Sequence, residues 1–320
     1  MEIDKVPWTI ASLGQLSILL EVSSPKPGNV NRLRRFSDTG YRHFLTSATL
    51  FSKGLYHAAR RGFEMRTEKG DYESIRVGEL IHSSTKDVLT GLNKRNTILG
   101  TILLHIPLAI AAGEVIGRKE KFDLVYFRDS IQRIIDSTTV QDTLDVYRSF
   151  QLTQVNEQKS HDWSQIHYRY DISNPDVLEN IQSDSIRLIE LFRISSNVDS
   201  IAKEWASYFS ITLNETFPYL RKTSTNLDDL EEGIVRSFIW LLSRYPDGLI
   251  VKKAGMEKAE EIMEIAGQIH LKYENGVNPE EELEKLDKYL RKDGNVLNPG
   301  STADLISAAI FCRLLELQYD

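Results

Sequence analysis

The sequence predicts an all-α protein, a compact single-core bundle of roughly a dozen helices. Three observations predict it. Almost every apolar segment recurs at the three- and four-residue spacing of a helix, and none alternates convincingly with the two-residue period of a half-buried strand. No period of fixed length repeats and no Gly/Ser-rich linker divides the 320 residues, so one domain over 1–320 is expected. The composition, 41% hydrophobic and 27% charged, is that of an ordinary globular chain able to bury a sizeable core.

Asp4 and Pro7 open the first helix, where a proline's missing N–H costs little, and Ile10, Leu13, Leu16 and Leu20 give it an apolar stripe. The stripe ends at Glu21, an acid that the helix dipole disfavours at a C-terminus and that needs a cation partner or a function. Pro25-Lys26-Pro27-Gly28 then stops the helix. The prolines fix φ on both sides of Lys26, and Gly28 permits a sharp exit. A lysine in so stiff a loop reads either as a grip for an anion, which loses little entropy on binding, or as an exposed turn after a helix stop.

Asp38 to His43 starts the second helix, which Gly62 is expected to end, and Asp71 caps a third carrying Ile75, Leu80, Ile81 and Val88. After the polar turn 91–97, Thr97 opens an apolar helix to Ala112, closed by Gly113. The apolar run is too short to span a bilayer and is interrupted by His105 and Pro107, so it reads as a buried core helix. Gly100, one turn in, lets either a neighbouring helix or a ligand come close. Thr138 and Gln141 form a capping-box pattern ahead of Leu144, Tyr147 and Phe150, while 154–172 reads as a polar, aromatic loop. Helix starts follow at Asn174-Pro175-Asp176, near Asp199 and after Thr225; Asp247-Gly248 reads as a turn. Gly255 begins another helix, 273–294 is a charged surface excursion, and Pro299 to Asp304 opens the last helix.

Charge and composition exclude some classes of function. The formal net charge is −7 and no long basic stripe is present, which argues against a nucleic-acid partner. Positive charge is concentrated at Arg32, Arg34, Arg35 and Arg42, then at Arg60, Arg61 and Arg66, which suits a small phosphorylated ligand or a solvated face. The one cysteine, Cys312, allows no internal disulfide and suits a reducing cytosol. The N-terminus reads as no signal peptide, so a cytoplasmic location with no membrane partner is expected.

The chain has no GxxxxGK[ST], GxGxxG or GxSxG motif, and its seven histidines form no HExxH pair; His161 and His167 lie off-face for a zinc site. Asp228-Asp229-Leu230-Glu231-Glu232 is similar to the aspartate-rich motif of helical isoprenoid synthases, but it also reads as an acid-rich helix start, and no second copy exists. Asn298-Pro299-Gly300-Ser301-Thr302-Ala303-Asp304 is a tight turn followed by a helix start whose backbone N–H groups suit an anion, with Asp304 placed to hold Mg²⁺ or orient a hydroxyl. It also reads as an ordinary N-cap.

Taken together, Glu21 with Pro25-Lys26-Pro27-Gly28-Asn29-Val30, then Asn96-Thr97-x-x-Gly100, then the Asn298–Asp304 segment resemble the triphosphoribosyl-dephospho-CoA synthase family, in the same order from end to end. Asp247, Lys252, Lys253 and Gly255 resemble a further Asp…Lys-x-Gly segment of that family. The chain departs from it at Thr97-Ile98-Leu99-Gly100, where citrate-lyase-type members have Thr-His-Lys-Gly, and at Asp38 to Phe44, where they have Gly-x-His-x-Asp-Met. A Pro-Gly-Gly segment expected after Tyr147 is also replaced.

The resemblance implies an all-α transferase that moves the triphosphoribosyl group of ATP onto a ribose hydroxyl of 3′-dephospho-CoA and releases adenine, with Mg²⁺ as the ion. It implies that Lys26, Arg32 and Arg34 hold phosphates, that Glu21 is the carboxylate nearest the reacting sugar, and that Asp304 is a catalytic acid and metal ligand. His43 would donate a proton to adenine. Gly28, Asn29, Asn96, Thr97, Gly100, Lys252, Ser301 and Thr302 would shape and line the nucleotide site. The partners are ATP and dephospho-CoA or a related nucleotide, and a homodimer is compatible with this. The departures leave open a transferase of the same fold with another acceptor, or a non-catalytic nucleotide- or CoA-binding protein.

Overall fold

A computed structural model describes residues 5–66, 71–89, 95–153 and 168–320. Among the described residues there is no strand, and the chain forms α1 (Lys5–Ser23), α2 (Tyr41–Glu64), α3 (Val77–Leu89), α4 (Leu99–Lys119), α5 (Leu124–Asp136), α6 (Val140–Thr153), α7 (Val177–Ser183), α8 (Leu188–Ser195), α9 (Ser200–Ala206), α10 (Phe217–Thr223), α11 (Leu230–Leu242), α12 (Gly248–Ala254), α13 (Met256–Glu274), α14 (Glu280–Leu290) and α15 (Gly300–Tyr319). A 3₁₀ turn at Glu73–Ile75 and a π-helical turn at Ile211–Thr216 complete it. The expected all-α class is the observed one.

The two most continuously buried helices, α4 and α15, form the centre. A helix apolar on all sides must be surrounded, and here α1, α2, α3 and α5 pack around α4, while α1, α10 and α11 pack on α15. By length and composition α4 could cross a bilayer, and it is longer than the sequence suggested, but nearly all of it is buried inside the bundle.

Glycines expected to end helices do something else. Gly62 and Gly113 lie inside α2 and α4, where a Cβ on Gly62 would stand 1.8 Å from the Ile110 carbonyl oxygen and one on Gly113 would stand 2.0 Å from that of Ala59. They are notches through which α2 and α4 touch backbone to backbone. Pro107 lies within α4 and cannot donate to the Leu103 carbonyl one turn back; the buried Trp205 indole donates to that oxygen instead, at 3.2 Å. His105 is a core residue. Its Nε2 lies 2.9 Å from Ser17 Oγ, its ring stacks on Phe311, and burial pushes its pKa down to about 3.

Several helix boundaries differ from the expected ones for local reasons. The capping box before α6 is made by Thr139 and Asp142, one residue past the expected pair: the Thr139 N–H donates to Asp142 Oδ2 at 2.7 Å. Asp142 also accepts from the Gly78 N–H at 2.8 Å, so it opens α3, while Asp71 only steadies the preceding turn by accepting from the Glu73 N–H at 3.1 Å. The single helix expected after Asn174 is two, α7 and α8, separated at Ser185, which has φ of 55°. Asp229 in the acidic run accepts from the Thr225 and Asn226 N–H groups and the Thr225 hydroxyl, so it ties the helix start back to the preceding turn and does not cap the helix's own N–H groups. Asp4, the tip of the 91–97 turn, His161 and His167 lie outside the described residues.

Candidate functional site

The segment after α1 folds inward. Residues 24–31 are almost entirely buried, where an exposed turn was one of the two expectations. Gly28 adopts φ of 70°, and its N–H donates to Asp287 Oδ1 of α14 at 2.8 Å. A Cβ there would lie 2.4 Å from the Leu290 side chain, so Gly28 serves the turn and the docking of α14. Asn29 Nδ2 donates to Asn298 Oδ1 at 3.0 Å, tying this loop to the turn that precedes α15.

That tie closes one side of a cavity of about 530 Å³. Of the residues singled out in the sequence, Glu21, Asn29, Asn96, Thr97, Gly100, Lys252, Ser301 and Asp304 line it. Three segments separated along the chain therefore meet at one place. The reason is the packing of α1, α4 and α15, which brings the C-terminus of α1 beside the N-termini of the other two.

Glu21 and Asp304 are the acids of special interest in this wall. Glu21 is buried, with Oε1 3.0 Å from Lys26 Nζ. Burial raises its pKa, and the charge and hydrogen bond of Lys26 oppose the rise. Asp304 Oδ1 accepts a hydrogen bond from the Thr101 hydroxyl, and its Oδ2 lies where a Cβ on Gly100 would be, 2.1 Å away. The close approach left open for Gly100 is thus that of the Asp304 carboxyl. Burial pushes Asp304 up to about 8 against the Thr101 hydrogen bond, and the charges of Glu21 and Asp247 add to the rise. A carboxyl whose proton affinity lies near neutrality is suited to proton transfer.

Asp247, expected to mark a turn, joins two helix starts. Its Oδ1 accepts from the Leu249 and Ile250 N–H groups at 2.9 and 3.1 Å, and its Oδ2 accepts from the Thr302 N–H and hydroxyl at 2.7 and 2.8 Å. It fixes α12 against α15, and Lys252, Lys253 and Ser301 from these two helices line the same cavity. Lys252 is an exposed cavity-lining ammonium, and half-buried Lys253 donates to the Asn295 carbonyl at 3.0 Å with its pKa lowered by burial. At the mouth, Asn96 Oδ1 accepts from the Leu99 N–H at 3.2 Å and opens α4, and Thr97 Oγ1 lies 2.6 Å from Ser47 Oγ.

The remaining residues assigned to the substrate site, Gly28 among them, do not line the cavity. Lys26 is fully buried behind Glu21, its ammonium turned to Glu21 and to the carbonyls of Glu21 and Ser24, so it is not an exposed phosphate grip. Arg32 pairs with Glu231, and Arg34 with Glu284 and Asp287, on the outer surface. Acids from distant helices claim both guanidinium groups. His43 Nδ1 accepts from the Gly40 N–H at 3.0 Å, which makes it part of the α2 N-terminus, outside the cavity lining. Thr302 is buried, and Asp247 takes its N–H and hydroxyl, so those groups do not face a ligand.

An aromatic part of the lining was not singled out. Tyr147, Phe150, Tyr170 and Phe192 line the cavity with Leu103 and Ile201, interspersed with Asp171, Ser195 and Asp199. Aromatic residues at helical spacing give the same sequence pattern whether they fill a core or face a cavity. Thr101 adjoins the Asn96-Thr97-x-x-Gly100 segment that the sequence did display, and that proximity was the available signal.

A family model for ATP:dephospho-CoA triphosphoribosyl transferase matches residues 7–320. Among solved structures, the chain is similar to a crystal structure from Archaeoglobus fulgidus that is provisionally described as a triphosphoribosyl-dephospho-CoA synthase. The TM-score is 0.61 with 25% sequence identity, over 85% of this chain and 98% of that one. No curated protein matches the chain.

Proposed function

The chain belongs to the ATP:dephospho-CoA triphosphoribosyl transferase family, and on that premise we propose that the Glu21–Asp304 cavity is where the transfer takes place. In the reaction the bond between ribose C1′ of ATP and adenine breaks, and a bond from that carbon to a ribose hydroxyl of dephospho-CoA forms. The hydroxyl loses a proton, and adenine leaves with the electron pair of the broken bond and gains one.

The observation that carries the reading is that, of the four carboxyls lining the cavity, Glu21 and Asp304 adjoin Asn29, Ser301 and Lys252 in the lining, whereas Asp171 and Asp199 accept hydrogen bonds from Ser173 and from the Ala202 N–H. Positive charge develops on the sugar as adenine departs, and a carboxylate already fixed beside it stabilises it strongly. Glu21 takes that role. Ionised Asp304 accepts the proton of the attacking hydroxyl, held in place by Thr101. Lys252 and Ser301 face the triphosphate, Asn96 and Thr97 orient the ribose, and the aromatic wall offers flat apolar faces to adenine. Charge on an ATP-sized anion is met by few cations here, because Arg32 and Arg34 lie elsewhere.

Mg²⁺ fits this site only as an ion carried in with the triphosphate. Among the described residues no cluster of three acids, histidines or cysteines is formed. Magnesium is commonly held by one or two carboxylates together with substrate phosphates, and Asp304 offers such a carboxylate. When bound, the ion would neutralise phosphate charge. A cytoplasmic setting is part of the proposal.

Incubating the protein with ATP, Mg²⁺ and dephospho-CoA tests the reading. Free adenine and a CoA-derived product heavier by one triphosphoribosyl group are expected, both dependent on dephospho-CoA. Tight ATP binding without adenine release, or release that requires a different acceptor, would overturn it.

A further inference from the structure

We propose that Lys26 is a positioning residue that acts on the transfer through Glu21 and does not touch the substrate. The inference rests on the reading of Glu21 as the carboxylate beside the sugar.

Three features of the loop carry it. First, Lys26 has no exposed surface and no place in the cavity lining, whereas Glu21 and Asn29 on either side of it do line the cavity. Second, three oxygen atoms surround the ammonium: Glu21 Oε1 at 3.0 Å, the Ser24 carbonyl at 3.2 Å and the Glu21 carbonyl. Two of its N–H groups donate to the carbonyls and its charge is paired with the Glu21 carboxylate, inside the protein and away from any phosphate. Third, the loop is held too firmly for the side chain to swing out. Pro25 and Pro27 restrict the backbone on both sides, and the Gly28 N–H to Asp287 and the Asn29 amide to Asn298 pin the exit, at 2.8 and 3.0 Å.

The arrangement also explains why an acid is tolerated at the end of α1. The last carbonyls of a helix lack intrahelical partners, and negative charge there is disfavoured. The Lys26 ammonium takes the Glu21 and Ser24 carbonyls and the Glu21 carboxylate together. The ion pair at 3.0 Å holds the carboxylate in place at the edge of the cavity that Glu21 lines.

A double-mutant cycle of Lys26→Met and Glu21→Gln tests this, reading kcat for adenine release and the ATP dissociation constant by calorimetry. Lys26→Met is expected to lower kcat by about 10²-fold, as a misplaced catalytic group does, with ATP affinity within about twofold of wild type. The double variant is expected to be as slow as Glu21→Gln alone, because residues acting as one unit are not additive. An ATP dissociation constant raised tenfold or more in Lys26→Met with kcat retained, or losses that multiply in the double variant, would overturn the proposal. Should Lys26→Met fail to fold, the double variant carries neither charge, and its comparison with Glu21→Gln decides alone: equal ATP affinity supports the inference, and tenfold weaker binding refutes it. Wild-type rates in Glu21→Gln would instead sink the Glu21 reading, and this inference with it.

Discussion

Replacing Glu21 by Gln is expected to lower adenine release by about 10²- to 10⁴-fold while leaving ATP affinity close to wild type. The substitution keeps the shape and removes the charge that faces the sugar. A ground-state contact would weaken binding, whereas a charge used only as the sugar becomes cationic lowers kcat. The variant also leaves the Lys26 ammonium buried without its anion. Breaking a buried pair in this way costs about 3–5 kcal/mol when the remaining charge has no escape. Burial already lowers the pKa of Lys26, against the opposing charge of Glu21, so the lysine can shed its proton and limit that cost. Thermal denaturation measured beside the kinetics separates the two effects. A folded Glu21→Gln protein with wild-type turnover would remove Glu21 from the reaction.

Replacing Gly100 by Ala is expected to lower turnover by about 10²-fold with little loss of stability. The new Cβ would stand 2.1 Å from Asp304 Oδ2 and 2.7 Å from its Cγ, so the carboxyl must move. The atoms displaced are the end of a side chain beside a cavity, and moving them disturbs little of the core. The Thr101 hydrogen bond is lost in the movement, and with it the aim of the carboxyl at the attacking hydroxyl. The melting temperature is the control. Near wild-type stability with lost turnover supports the account. Unchanged turnover would mean that the position of Asp304 does not matter.

The fold class was legible because helical periodicity reports the environment of a whole segment, and α4 and α15 are buried on every side and largely apolar. The site was legible as three chemically unusual segments. What could not be read was the direction in which each side chain points, because that is set by partners remote in sequence. Lys26 in a stiff loop had the appearance of a grip, but the bond from Gly28 to Asp287, 259 residues away, turns the loop inward. Arg32 and Arg34 suited a phosphate until Glu231, Glu284 and Asp287 came within reach. Gly62 and Gly113 had the pattern of helix ends and are contact notches, a distinction that depends on which helix lies opposite. Asp247 could be seen as a turn residue and as part of a family segment, but not as a link between two helix starts, since its second partner, Thr302, belongs to another helix.

The central claim is that the transfer occurs in the cavity shared by Glu21 and Asp304. A crystal structure of the Glu21→Gln variant with ATP and dephospho-CoA bound tests it most directly. The ribose of ATP is expected against position 21 and Asp304, with the triphosphate toward Lys252 and Ser301. ATP bound on the outer face beside Arg32 and Arg34, with the cavity empty, would contradict it.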